Sequence, residues 1–245
     1  MNTLNPEELD AVQRTIQSLI ELKALNLGYN PEDIAPIYDG VCDARKYLSS
    51  PTKVMWILKE PYDDFNEDGT SAGGGWEVYE QWKNDAKVAE VTNVRSWQPI
   101  MYVLRALNED KDWDDIAWIR DEREKYVEAL QGCAYINVNK MPAGKSSKDL
   151  TDAFAKWEDI INAQILAYAP DVIIFGNTFQ YFAGQSYIEN KETLAGVPGM
   201  TDVYKTRIGG KETLLIHAYH PNQKTISRQE YVDSILLAIR GNLTK

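Results

Sequence analysis

Four short apolar runs constrain the fold of this chain more than any other feature. They are "KVMWIL" ending at Leu58, "CAYINV" starting at Cys133, "DVIIFG" starting at Asp171, and "ETLLIHA" starting at Glu212. Each is short and almost unbroken by polar residues, as expected of a strand buried on both faces. Helical periodicity fills the intervals between them. Strands at 54, 134, 171 and 213 separated by helices predict an α/β fold with a parallel sheet covered on both faces. In such sheets ligands bind beyond the carboxyl ends of the strands. The loops that matter are therefore "KEPYDD", "NVNKMPAGK", "GNTF" and "HAYHPNQ".

The intervening pattern predicts a first helix over residues 6–23. Asn5 is its cap, Pro6 its first position, and Glu7 and Glu8 favour its dipole. Leu9, Val12, Ile16, Leu19 and Ile20 form its apolar stripe. A loop-rich stretch leads to Pro51, and a polar, glycine-rich loop follows the first strand. Residues 76–130 read as helical and highly charged. An amphipathic helix over 149–168 carries Phe154, Trp157, Ile161, Ile165 and Tyr168 on one side. A short helix follows the third strand, and a helix over 227–240 closes the chain with Tyr231, Ile235 and Ile239 inward. No internal repeat is present. The 245 residues suit one domain, 1–245, with an N-terminal helical part over 1–50 and a helical insertion over about 76–130.

Charge and cysteine content narrow the function classes. A formal charge of −11 repels polyphosphates, so broad salt-driven nucleic-acid binding is disfavoured and only a local basic patch remains open. Two cysteines, Cys42 and Cys133, exclude a disulfide scaffold and any four-cysteine zinc or iron–sulfur site, and suit a reducing cytoplasm. The start "MNTLNPEELD" lacks a signal-peptide pattern, and no run is long enough to span a bilayer. These features lead to the expectation of a soluble cytoplasmic protein without a cofactor.

The exit loops supply the candidate chemistry. Glu60 ends the first strand and is stiffened by Pro61; a carboxylate there reads equally as a pocket group or as a solvated charge. His217 and His220 are the only two histidines. Three residues apart on a strand they face opposite ways, so they do not form a metal pair; His217 reads as structural and His220, just before Pro221, as functional. "NVNKMPAGKSS" ends like a phosphate loop but has Asn139 where the first glycine belongs, which argues against one. Lys140, Lys145 and Lys148 still make a small basic spot, either an ordinary solvated turn or a contact for a few backbone phosphates. Asn137 and Asn139 offer the paired donor and acceptor that a pyrimidine edge needs, though Asn is also a common turn residue. Tyr62, Phe65 and Trp76 are aromatic candidates for base stacking, worth about 1–3 kcal/mol per base, though for any one of them ordinary packing is the commoner account.

As an ordered set, these loops resemble the uracil-DNA glycosylase superfamily. "LKEPYDD" resembles the family's first motif, G-Q-D-P-Y-H in one branch: Glu60 falls at the catalytic Asp, and Pro61 and Tyr62 match. "YINVNKMP" resembles the second strand and its exit, with Asn137 at the base-reading Asn. "DVIIFGNTFQYF" resembles the strand–glycine–helix segment, and "HAYHPNQ" the H-P-S motif, with His220 and Pro221 matching. The likeness spans roughly residues 51–240. The departures are Leu58 and Lys59 in place of Gly and Gln, Glu for Asp at 60, Asp63 for His, and Asn222 for Ser. A Ser/Pro-rich minor-groove loop and the iron–sulfur cysteines of the thermostable branch are also missing.

The resemblance implies a three-layer sandwich around a four-stranded parallel sheet, and hydrolysis of an N-glycosidic bond without metal or cofactor. By it, Glu60 and His220 are catalytic, while Asn137, Tyr62, Phe65 and Trp76 bind the base. Lys140, Lys145 and Asn222 meet phosphate. The partner is uracil-containing DNA, single-stranded in preference, or a free nucleotide. The alternative is a nucleotide- or nucleoside-binding protein of the same fold without repair activity, which the net charge favours.

Overall fold

The computed structural model describes residues 4–30, 34–60, 77–142 and 148–243. Tyr62, Phe65, Trp76 and Lys145 lie outside the described residues. In chain order the described elements are α1 (Pro6–Asn26), β1 (Gly40–Val41), α2 (Ala44–Ser49), β2 (Val54–Leu58), α3 (Val78–Trp82), α4 (Val88–Asn93), α5 (Trp97–Glu109) and α6 (Arg123–Gln131). There follow β3 (Ala134–Asn137), α7 (Thr151–Tyr168), β4 (Val172–Gly176), α8 (Ser186–Glu189), β5 (Glu192–Leu194), β6 (Thr201–Ile208), β7 (Lys211–Ala218) and α9 (Arg228–Asn242).

Among the described residues the strands form one seven-stranded mixed sheet in the order β1-β3-β2-β4-β7-β6-β5. Its centre, β3-β2-β4-β7, is parallel, while β1, β6 and β5 pair antiparallel at the flanks. The four apolar runs are thus the four parallel strands. β2 and β4 are buried at every residue, as continuous apolar strands covered on both sides must be.

Alternation along β2 divides the core. Val54, Trp56 and Leu58 point into one cluster with Ile100, Val103 and Leu104 of α5, Tyr126 and Leu130 of α6, and Tyr231, Ile235 and Ile239 of α9. Met55 and Ile57 point into the other, with Leu9, Ile16 and Ile20 of α1 and Phe154, Trp157, Ile161 and Ile165 of α7. No helix among the described residues is long and apolar enough to cross a membrane.

The structure corrects the sequence reading in several places. α1 runs to Asn26, locked at its start by a reciprocal cap: the Asn5 side chain accepts from the Glu8 N–H and the Glu8 carboxylate from the Asn5 N–H. Its buried face is Leu9, Gln13, Ile16, Ile20 and Ala24, while Leu19 is exposed. The polar Gln13 is inward because its amide donates to the Asp39 carbonyl. The stretch before Pro51, expected as loop, contains β1 and α2. Within the helical, charged stretch expected over 76–130, two single 3₁₀ turns, Trp113–Asp115 and Ile119–Asp121, precede α6.

β6 was not among the expected strands. It alternates buried and exposed residues, Thr201 and Val203 in and Asp202 out, and turns into β7 through Gly209 and Gly210, both at positive φ (56° and 83°). Two consecutive left-handed residues are the hairpin turn that matches strand twist, and Gly-Gly is its sequence mark.

Candidate active site

Because the four central strands are parallel, their exit loops collect at one edge of the sheet. β2 leaves through Lys59 and Glu60, β3 through Val138 and Asn139, β4 through Asn177 and Thr178, and β7 through Tyr219 and His220. β2 and β3 stay paired past their ends: the Val138 N–H donates to the Leu58 carbonyl (2.8 Å) and the Asn139 N–H to the Lys59 carbonyl (3.0 Å). The Thr178 hydroxyl donates to the Ile57 carbonyl (2.9 Å), tying the β4 exit to β2. Asn177 turns the chain in the left-handed region (φ 59°), a conformation Asn tolerates, and donates its N–H to the Ala218 carbonyl (2.9 Å).

Gly176 sets how closely the β2 and β7 exits approach. A Cβ at this position would lie 2.3 Å from Leu58 Cδ2 and 3.1 Å from Pro221 Cδ, with the His220 Cα at 3.8 Å. Only a residue without a side chain lets Leu58, two residues before Glu60, and the His220–Pro221 turn close on the same backbone. The strand ends carrying Glu60 and His220 are therefore neighbours.

His220 is held in one tautomer. The Asn222 N–H donates to its Nδ1 (3.1 Å), so in the neutral ring Nε2 carries the hydrogen and is a donor. Burial, reinforced by the Lys59 ammonium, lowers its pKa to about 4, and the ring is neutral at physiological pH. The turn is braced by Tyr231, whose hydroxyl donates to the Tyr219 carbonyl (2.9 Å), and by the Gln223 N–H on the His220 carbonyl (2.9 Å). His217 sits three residues earlier, on β7, with its Nδ1 3.3 Å from the Asp202 carboxylate, and its ring stacks on Phe179. No group of three or more metal-ligating residues occurs among the described residues.

Asn137 is buried at the end of β3, with its backbone N–H donating to Asp39 Oδ2 (2.6 Å) and its Nδ2 3.4 Å from the same oxygen. Its Oδ1 is buried and has no hydrogen-bond partner among the described residues. Leaving such an acceptor unmade costs about 1–3 kcal/mol, so it calls for a compensating role.

The expectation for Lys140 is corrected here. Its side chain is fully buried, and its ammonium donates to both Asp39 oxygens and to Gln164 Oε1, each at 2.8 Å. Its three protons are used inside the core, leaving none for a phosphate. Burial lowers its pKa and the Asp39 carboxylate opposes that. Sequence reasoning missed Asp39, which supports Asn137 from beneath; a lone Asp in "IYDG" carries no local signal. Asn222 is exposed and joins Pro221 in lining a cleft of about 490 Å³ beside His220. A separate hollow of about 280 Å³, lined by Lys46, Ser50, Arg105, Glu109 and Glu128 among others, lies toward the opposite edge, where β2 and β3 begin.

The sequence matches no protein-family model and no curated protein.

Proposed function

We propose that the chain hydrolyses the N-glycosidic bond of uracil or a related base in DNA, as a divergent member of the uracil-DNA glycosylase superfamily with that family's three-layer layout. The observation that carries this reading is the Asn222 N–H seated on His220 Nδ1, which leaves Nε2–H as a donor at the strand edge shared with Glu60.

In the reaction the C1′–N bond breaks with its electron pair going to the base. Water forms the new bond to C1′, and its proton ends on the departing base. Negative charge develops on the base oxygen, where a donor fixed in advance stabilises it without reorganisation. His220 Nε2–H is such a donor, and the Lys59 ammonium adds positive potential on the same side. The Glu60 carboxylate opposes the positive charge that builds on the sugar and orients the water. Asn137 reads the pyrimidine edge: its orphan Oδ1 accepts from a ring N–H, which accounts for a buried acceptor otherwise unmet. Tyr62, Phe65 and Trp76 remain the stacking candidates of this proposal.

The second reading, a binding protein for free nucleotides or nucleosides, is favoured by the net charge of −11. Incubation with single-stranded uracil-containing DNA separates the two. Uracil release that is slowed by His220→Ala and by Glu60→Gln supports the glycosylase. Absence of release at high enzyme, with saturable binding of a free nucleotide, supports the second reading.

A further inference from the structure

We propose that the helical segment between β2 and β3, together with the β7–α9 loop, forms a cationic channel that binds the backbone of single-stranded nucleic acid, with Trp118 as a base-stacking platform at its outer end. The proposal rests on the reading above and deepens it by naming where the strand lies and which side chains hold it. It also gives the inserted helices a role.

Two hollows carry it. The cleft of about 490 Å³ beside His220 is lined by Arg95, Lys224 and Arg228 with the amides of Asn93, Gln98 and Asn222. A second, of about 350 Å³, is lined by Arg120, Arg123, Arg228 and Trp118. Asn93, Gln98 and Arg228 line both, so the two hollows adjoin. Among the described residues no carboxylate lines either one. In a chain with 37 acidic and 26 basic residues, five cations and no acid around one channel is a segregation that chance placement opposes.

The cations are available. Among the described residues Arg95, Arg123, Lys224 and Arg228 have no ion pair, and Arg120 has only the exposed Asp121 at 3.6 Å. Arg95, Arg120, Lys224 and Arg228 are exposed. Arg228 lies over the Tyr102 ring and Arg123 donates to Thr92 Oγ1, so these two are held in place.

Trp118 is 53% exposed, yet its ring meets Trp113 edge-on at 6.0 Å, which gives the platform a fixed footing. A flat ring at the end of a cationic groove suits unpaired bases, since bases inside a duplex present no free face. The acidic remainder of the surface repels a duplex, with its doubled phosphate density, more than a single strand. The inner end of the channel, at Pro221 and Asn222, abuts His220.

The test is binding of a fluorescent thymidine oligonucleotide without uracil, followed by anisotropy across a salt series. Wild type is expected to bind with a negative slope of log affinity on log salt. Arg95→Glu/Arg120→Glu, both at exposed positions, should weaken binding at least roughly tenfold and flatten the slope by about 1.4, for two lost single-strand contacts. Trp118→Ala should weaken binding about fivefold or more.

Absence of wild-type binding at low salt overturns the proposal, as does unchanged binding by the charge-reversed variant. Equal competition by a duplex or by polyglutamate also overturns it. Oligonucleotide binding through these cations without uracil release sinks the glycosylase reading and leaves the channel standing; uracil release with charge-insensitive binding does the reverse.

Discussion

Replacing Lys140 by Met tests the buried network beneath the site. Both Lys140 and Asp39 are fully buried. Their ammonium and carboxylate meet through two contacts of 2.8 Å, and Gln164 Oε1 takes the third proton. Methionine keeps most of the volume and removes the charge. The Asp39 carboxylate then retains three neutral donors, the Asn137 N–H at 2.6 Å, Asn137 Nδ2 at 3.4 Å and Gln164 Nε2 at 2.8 Å, with no cation. Breaking a buried pair from one side costs about 3–5 kcal/mol. Against a total stability of about 5–15 kcal/mol this is a large fraction. With a urea dependence near 3 kcal/mol/M, the unfolding midpoint should fall by about 1–1.7 M. Asp39→Asn/Lys140→Met removes both charges and should recover most of the loss. A loss below about 1 kcal/mol in the single variant, or a double variant less stable than the single, would refute the claim that a desolvated charge pair holds Asn137 from below.

Other expectations concern the site directly. His220→Ala should lower the rate of uracil release by about 10²–10³-fold, the scale for losing one preorganised donor, and Glu60→Gln by about 10²–10⁴-fold; loss of less than threefold in either removes that residue from the mechanism. Because the folded-state pKa of His220 is about 4 against an ordinary 6.5, the unfolded chain binds the extra proton first as pH falls. Stability should therefore fall between pH 6.5 and 4, by at most about 3 kcal/mol from this residue, and His220→Asn should lack that component when urea midpoints at pH 7 and 4.5 are compared. Gly176→Ala should cost about 1–3 kcal/mol through its clash with Leu58 and Pro221, and should lower uracil release by spreading the Glu60 and His220 loops. A melting temperature equal to wild type would show that the close approach is not needed.

The amino-acid sequence by itself determined the four parallel strands and therefore which loops share an edge. Continuous apolar runs are local signals, and parallel pairing sends every exit loop the same way. That Glu60, Asn137 and His220 lie at the exits of parallel strands was legible for that reason. The β6–β7 hairpin was also legible in principle, through Gly209–Gly210, although alternating runs such as "TDVYKTRI" speak more weakly than continuous ones.

What only the tertiary structure decided are pairings between distant positions. Lys140 reads as a surface cation in "NVNKMP", yet Asp39, 101 residues earlier, draws it into the core. Arg95, Arg120 and Arg228 look like scattered charges until α5, the 3₁₀ turns and α9 bring them to one channel. A residue's burial and its charged neighbours are sums over the whole chain in three dimensions, whereas periodicity is a property of neighbours in sequence; that difference separates what could be read from what had to be seen.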